Sequence, residues 1–368
     1  MIEKRCIFHV PNYLPAVGAS GSGIRPWKML NAFKELGYHV DYVMGYGRQR
    51  KAQIKEIENN IKIGMKYEFL YSESSTMPTL LTEKNHLPQY PTLDFGFFEY
   101  CRKYGIKIGL YYRDIQWKFD IYKNAVPWYK KIISIPMYRY DLYRYRKLID
   151  KFYLPSSAVA AYLKEYPDLL SKMEILPPGC ENVEALDMKR TFRKPLKIFY
   201  VGGISRIYDI SLFLKAISQI PDVELVLCCK EKEWLDNKHL CEKYVTPRIN
   251  IVHEMGEGLK KYYRWADLCC AFAGKGKYMS MAMPIKVFEY LGNLKPIIGT
   301  ADTEAGRFIE KNNIGWAVEY KEDALKKCIE NIMRHPMILD EMKDSMIRVR
   351  EENLWTVRAQ KVVSDLST

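Results

Sequence analysis

Residues 283–298 read M-P-I-K-V-F-E-Y-L-G-N-L-K-P-I-I and constrain this chain more than any other stretch. The pattern predicts a short helix, a glycine stop and a buried strand. Pro284 suits a first helical turn, where its missing N–H would be unpaired anyway. Lys286 and Glu289 lie three apart on one face, and Ile285, Phe288 and Leu291 mark the packed side. Gly292 is expected to end the helix, with residues 296–299 forming the strand. A cation and a carboxylate near a helix start in a βα crevice suit a ligand carrying phosphates and sugar hydroxyls. The same spacing also fits a solvent-facing Lys–Glu pair.

The first half repeats this grammar. Residues 6–10 read as a strand, followed by a glycine-rich loop at 18–23 and a helix with Trp27, Leu30, Phe33 and Leu36 inward. Gly37 closes that helix and residues 38–44 read as the second strand, a βαβ opening. Small residues such as Gly21 and Gly23 let backbone N–H groups and a helix start approach an anion. The spacing is not G-x-G-x-x-G, so no nicotinamide site is read here. Arg25, just inside the helix, is a candidate phosphate or acceptor contact, or a solvated helix residue. Residues 45–95 carry the weakest pattern, with a loop expected over 72–91. Residues 106–112 read as a central strand ending in Arg113, Asp114 and Trp117. Polar groups just past the C-terminal end of a parallel strand sit where α/β proteins hold ligands. Arg113 and Asp114 are therefore candidate catalytic groups and Trp117 a candidate acceptor contact, the alternative being a simple Arg113–Asp114 pair.

A second αβ series starts at residues 197–201, followed by Gly202, Gly203 and Arg206. Further strands are expected at 223–229, 249–253 and 268–272, and helices at 212–217, 259–265, 322–333, 338–350 and 355–366. The loop 273–277 could cradle a phosphate but lacks the full P-loop pattern. A chain of 368 residues accommodates two domains. The predicted division is 1–178, a polar joint at 179–195, 196–350, and a last helix at 351–368.

The chain is 48% hydrophobic and 27% charged, an ordinary soluble composition. A net charge of +13 favours an anionic partner. Nine scattered cysteines fit a reducing compartment. They show no metal-ligand spacing, the histidines are isolated and no Asp-x-Asp occurs, so neither metal nor cofactor is expected. The N-terminus does not read as a signal peptide and no long apolar segment suggests a membrane span, which points to the cytoplasm. Residues 128–147 interleave Trp128, Tyr129, Tyr138, Tyr140, Tyr143 and Tyr145 with Lys130, Lys131, Arg139, Arg144, Arg146 and Lys147. Such a run fits an anionic membrane surface, a nucleic acid, or a buried aromatic helix whose cations snorkel outward. Nothing else in the chain reads as a nucleic-acid motif, so no nucleic-acid partner is expected.

The stretch from Pro284 to Ile298 is similar to the P-x-K-x-x-E-Y-x-x-x-x-K-P-I-I variant of a known family. Tyr200-Val201-Gly202-Gly203, Leu176-Pro177-Pro178-Gly179 and residues 262–267 match it as well. With these motifs the chain resembles the retaining glycosyltransferases of family four, with the GT-B fold: α/β, two Rossmann-like domains facing across a cleft. The resemblance implies that Glu289 binds the donor ribose and Lys286 lies near the diphosphate. It further implies that the 18–23 loop faces the donor and that the C-terminal helix crosses back onto the first domain. The chain departs from the family at Met281, where the first of two glutamates usually stands, and at Gly203 and Tyr208, where Arg and Lys are usual. Arg113 replaces a histidine. Arg206 and Lys286 could restore the missing positive charge. The implied reaction is transfer of a hexose from a nucleoside diphosphate sugar to a hydroxyl, with retention. The expected acceptor is a lipid-linked glycan of a bacterial surface polysaccharide, met at the inner face of the membrane. A GT-B nucleotide-sugar epimerase and a nucleic-acid-binding module are the alternatives.

Overall fold

The computed structural model describes residues 3–14, 21–183, 194–205, 208–274 and 276–367. The chain divides into two compact units, Met1–Pro178 with Trp355–Thr368, and Gly179–Leu354. Helices of eight or more residues carry labels below.

Unit 1 is built on six parallel strands: β1 (Arg5–His9), β2 (His39–Val43), β3 (Phe69–Glu73), β4 (Lys107–Tyr111), β5 (Lys151–Leu154) and β6 (Met173–Ile175), in the order β2-β1-β3-β4-β5-β6. Phe8 of β1 stands opposite Tyr42 of β2 and Tyr71 of β3. β3 is buried along its whole length, as a parallel strand covered on both faces requires. Its helices are α1 (Gly21–Glu35), α2 (Gly47–Lys62), α3 (Leu93–Lys103) and α4 (Trp128–Leu148). The glycine-rich segment is not a loop throughout. Gly21 and Gly23 lie in the first turn of α1, with Pro26 inside the helix; residues 15–20 lie outside the described residues. Ser157–Tyr162 forms a 3-10 segment.

Unit 2 holds β7 (Leu196–Val201), β8 (Val223–Cys228), β9 (Ile249–Val252), β10 (Leu268–Ala271), β11 (Ile297–Thr300) and β12 (Gly315–Val318), ordered β12-β11-β10-β7-β8-β9. Counted within the unit, this is the dinucleotide-fold order 3-2-1-4-5-6, whereas unit 1 follows the flavodoxin-type order. In both, the order reverses at one point, and ligands bind outside the C-terminal strand ends there. Those points are β1/β3 in unit 1 and β7/β10 in unit 2. The helices are α5 (Ser211–Ser218), α6 (Ile285–Gly292), α7 (Glu304–Lys311), α8 (Glu322–Arg334) and α9 (Lys343–Glu351). Cys180, expected in a joint, is buried in unit 2, donating its N–H to Asn353 O at 2.8 Å. Residues 184–193 of that expected joint lie outside the described residues. The last helix, α10 (Trp355–Leu366), belongs to unit 1.

α6 forms where the sequence places it, with two differences. Its packed residues are Val287, Phe288, Tyr290 and Leu291, and Ile285 stays partly exposed. Gly292 does not take the left-handed turn; Leu294 does, at φ 50°. Gly292 answers a steric demand instead, since a Cβ there would stand 2.8 Å from Glu181 O.

Candidate functional site

In unit 2 the candidate residues gather at the C-terminal end of β7, beside its switch point. β7 runs into Gly202, whose φ of 149° disfavours a side chain. A Cβ there would lie 2.6 Å from Lys286 Nζ. The Lys286 ammonium sits 4.1 Å from the centroid of the Tyr200 ring, a cation–π contact. Tyr200 in turn donates its hydroxyl to Gly203 O at 2.9 Å, fixing the turn after the strand. Tyr290 of α6 locks the helix to the sheet: its hydroxyl accepts Val201 N–H at 3.0 Å and donates to Cys270 O at 3.1 Å. Part of Lys286 stays at the surface, but desolvation of Nζ lowers its pKa to about 8, against the opposing pull of Cys270 and Glu289. Glu289 is partly exposed on the same helix. Lys286, Gly202 and Gly203 are thus brought together. Met281 is buried in its short helix. Arg206 lies outside the described residues, as does Lys275 of the 273–277 loop.

Unit 1 places Arg113 and Asp114 just past β4, but not as a mutual pair. Arg113 Nη2 reaches Glu73 at 2.9 Å, and its backbone N–H donates to Ser74 Oγ at 3.0 Å. Asp114 accepts the N–H of Gln116 at 2.8 Å. Arg25 is neither solvated nor presented to an acceptor: only 3% exposed, it lies 3.6 Å over the Tyr111 ring with Nε 3.2 Å from Glu73. Burial works against its charge, but Tyr111, Tyr71 and Glu73 raise its pKa above the ordinary value. Trp117 is likewise core, stacked on Tyr138 at 5.2 Å.

Sequence reasoning missed Glu73. The only signal was a strand-like run that closes on Ser72-Glu73-Ser74. It also missed a second buried cluster at the β1/β3 switch. His9 bridges Ser72 Oγ and Asp94, both at 2.9 Å, and Arg50 Nε lies 3.0 Å from Asp94. Burial lowers the His9 pKa, so the ring is neutral near pH 7. Burial alone would raise the Asp94 carboxyl, but His9 and Arg50 lower it.

Helix α4 behaves differently along its length. Trp128, Tyr129, Ile132 and Ile133 are 70, 54, 63 and 54% exposed. Beyond Pro136, Tyr138, Asp141, Leu142, Tyr145 and Leu148 are buried. Tyr138 and Tyr145 therefore cannot face a membrane or stack on bases. A cavity of about 490 Å³ lies elsewhere in unit 2, lined by Glu224, Asn250, Tyr262 and Trp265 toward the N-terminal halves of β8 and β9, away from Lys286.

The fold defined by these two parallel sheets is that of the GT-B glycosyltransferases. Residues 195–335, within unit 2, match the family model Glycosyl transferases group 1. Sucrose-phosphate synthase from Thermosynechococcus elongatus superposes with TM-score 0.64 at 15% identity, covering 98% of both chains. Anabaena HepE, crystallised with UDP-glucose, gives 0.66 at 10% identity over 98% of this chain and 99% of its own. WaaG, a glycosyltransferase of lipopolysaccharide biosynthesis, gives 0.63 at 13% identity over 98 and 99%. No curated protein matches at the sequence level.

Proposed function

We propose that the protein is a retaining glycosyltransferase, moving a hexose from a nucleoside diphosphate sugar to a hydroxyl of a glycan acceptor. One observation carries the reading: the Lys286 cation is held against the Gly202–Gly203 turn at the switch point of the unit that matches group 1 glycosyltransferases. A phosphate oxygen approaching that turn meets a charge already partly stripped of water, where its attraction is strongest. As the glycosidic bond breaks, negative charge grows on the leaving diphosphate, and Lys286 stabilises it. A same-face displacement asks for such a cation and does not need a second carboxylate behind the sugar. Glu289, three residues on, suits the ribose hydroxyls. The UDP-glucose bound by HepE supports a uridine-type donor class. The test is incubation with a panel of nucleotide sugars and hydroxyl acceptors, reading nucleoside diphosphate release. Acceptor-dependent release that falls about 100-fold or more in K286A is expected. Release unchanged in K286A removes Lys286 from the site, and no release across the panel removes the transferase assignment.

The acceptor is read as lipid-linked, in synthesis of a surface polysaccharide, with the protein docking on an anionic membrane from the cytoplasm. The support is the exposed start of α4, where four large apolar side chains surround Lys130, and the net charge of +13. Among the described residues no helix is long and apolar enough to cross a membrane.

A further inference from the structure

Glu73 ends β3 with 0% of its surface exposed, yet its carboxylate is shared by two guanidinium groups. Oε1 lies 3.2 Å from Arg25 Nε and accepts the Tyr71 hydroxyl at 3.1 Å. Oε2 accepts from Arg113 Nη2 at 2.9 Å. The two arginines are not equivalent. Arg25 is fixed on every side: Nη1 donates to Pro177 O at 3.2 Å, Nη2 to Tyr71 OH at 3.3 Å, and its plane covers Tyr111. Arg113 keeps 14% of its side chain exposed, at the strand end where this class of sheet holds ligands. Its main chain is pinned as well, through the N–H to Ser74 Oγ.

A buried carboxylate held by two cations is weak evidence of stability, because desolvation offsets most of the Coulomb gain. What such a clamp does supply is geometry. Arginine carries a large rotamer entropy, and a charge-assisted bond to a fixed carboxylate removes much of it before any ligand arrives. A cation with its orientation set in advance costs no reorganisation when charge develops in the transition state. We propose that Glu73 is a positioning residue: seated by Arg25 and Tyr71, it sets the direction in which Arg113 meets a charged group of the substrate beyond the C-terminal end of β4. This rests on the glycosyltransferase reading.

The test is chemical rescue combined with a double-mutant cycle, on full-length protein whose folding is followed by thermal unfolding. R113A is expected to lower kcat about 100-fold, and millimolar guanidinium chloride to restore part of it by occupying the seat beside Glu73. E73Q is expected to lower kcat about 10-fold or more with donor KM within about twofold, since a displaced Arg113 fails chiefly in the transition state. Should E73Q not fold, E73D keeps the charge and draws the carboxylate back by about 1.5 Å, one carbon–carbon bond. On the R113A background either Glu73 variant should cost less than about twofold and abolish the guanidinium rescue. Three results overturn the proposal: R113A at full kcat, a Glu73 variant that costs the same factor with and without Arg113, or rescue that persists without Glu73. A wild-type protein that releases no nucleotide from any sugar donor overturns the transferase reading itself, and the positioning role falls with it. A wild type that turns over while the cycle is additive overturns the positioning role alone.

Discussion

At pH 8 the Lys286 ammonium stands near its midpoint, because desolvation under Tyr200 and Gly202 outweighs the pull of Cys270 and Glu289. The sign of the consequence is definite. On the proposed role the protonated form holds the diphosphate, so affinity is expected to be full below the midpoint and to fall as pH rises through it. Donor KM should be flat up to about pH 7 and climb toward tenfold per pH unit above the midpoint. K286R, whose guanidinium stays charged throughout, should flatten the profile. Identical alkaline limbs in the two proteins would detach the profile from Lys286. Lys286 and Glu289 were visible in the sequence because their relation is local, three residues on one helix. Glu73 was not, because its meaning comes from Arg25 and Arg113, which chain spacing does not bring together. Arg25 and Trp117 misled for the converse reason: a polar or amphipathic residue near a strand end reads as a ligand contact until the rings and carboxylate that bury it are known.

Helix α4 shows why one periodicity can hide two environments. Its aromatics and cations alternate throughout, yet Pro136 separates an exposed start from a buried end. In the buried half Asp141, its carboxyl pushed up to about 7 by desolvation, accepts the Thr79 N–H at 2.7 Å, and Tyr145 meets Thr79 Oγ1 at 3.0 Å. Tyr138 donates to Thr76 O at 2.7 Å. Arg144 there pairs with Glu99 at 2.6 Å and covers Phe95. The sequence left membrane, nucleic-acid and core roles open for this run, since each needs rings beside cations. The core role holds for Tyr138 and Tyr145, whereas Tyr143 stays 45% exposed, and the membrane proposal narrows to Trp128, Tyr129, Ile132 and Ile133. Replacing those four by serine should cut sedimentation with anionic liposomes about tenfold or more, each buried apolar side chain being worth about 1.5–3 kcal/mol. Y138F, which keeps its ring in the core, should sediment as the wild type does. Equal sedimentation of the four-serine protein and the wild type would end the docking role of this helix.

The alternation of strands and helices, and hence two α/β units, was legible outside residues 45–95, because periods of 2 and 3.6 survive in a single sequence. Strand order was not, since it records which strands meet rather than what each is made of. That is why the flavodoxin-type order of unit 1 and the dinucleotide order of unit 2 emerge only in three dimensions. The ending of the chain was expected on unit 1 through the family resemblance, but the residues it packs against were not. Unit 1 is completed by α10, whose Trp355, Ala359, Val362 and Leu366 lie in one core with Phe8, Phe33, Tyr71 and Tyr153. The fit is close: a Cβ on Gly109 of β4 would come within 2.8 Å of Leu366. Polar contacts frame it, with Tyr153 OH donating to Asp365 at 3.1 Å and Lys361 Nζ reaching Glu174 at 2.9 Å. Three large side chains at about 1.5–3 kcal/mol each, plus one alanine, approach the 5–15 kcal/mol that holds a typical domain together. Ending the chain after Leu354 should therefore unfold unit 1 while leaving unit 2 intact. Hydrogen exchange resolved by peptide is the measurement. Amides of β1, β3 and β4 should lose protection in the truncated protein, amides of β7 and β10 should keep it, and a synthetic peptide of residues 355–368 should restore the former. Protection of β1, β3 and β4 that survives truncation would mean that α10 decorates unit 1 rather than completing it.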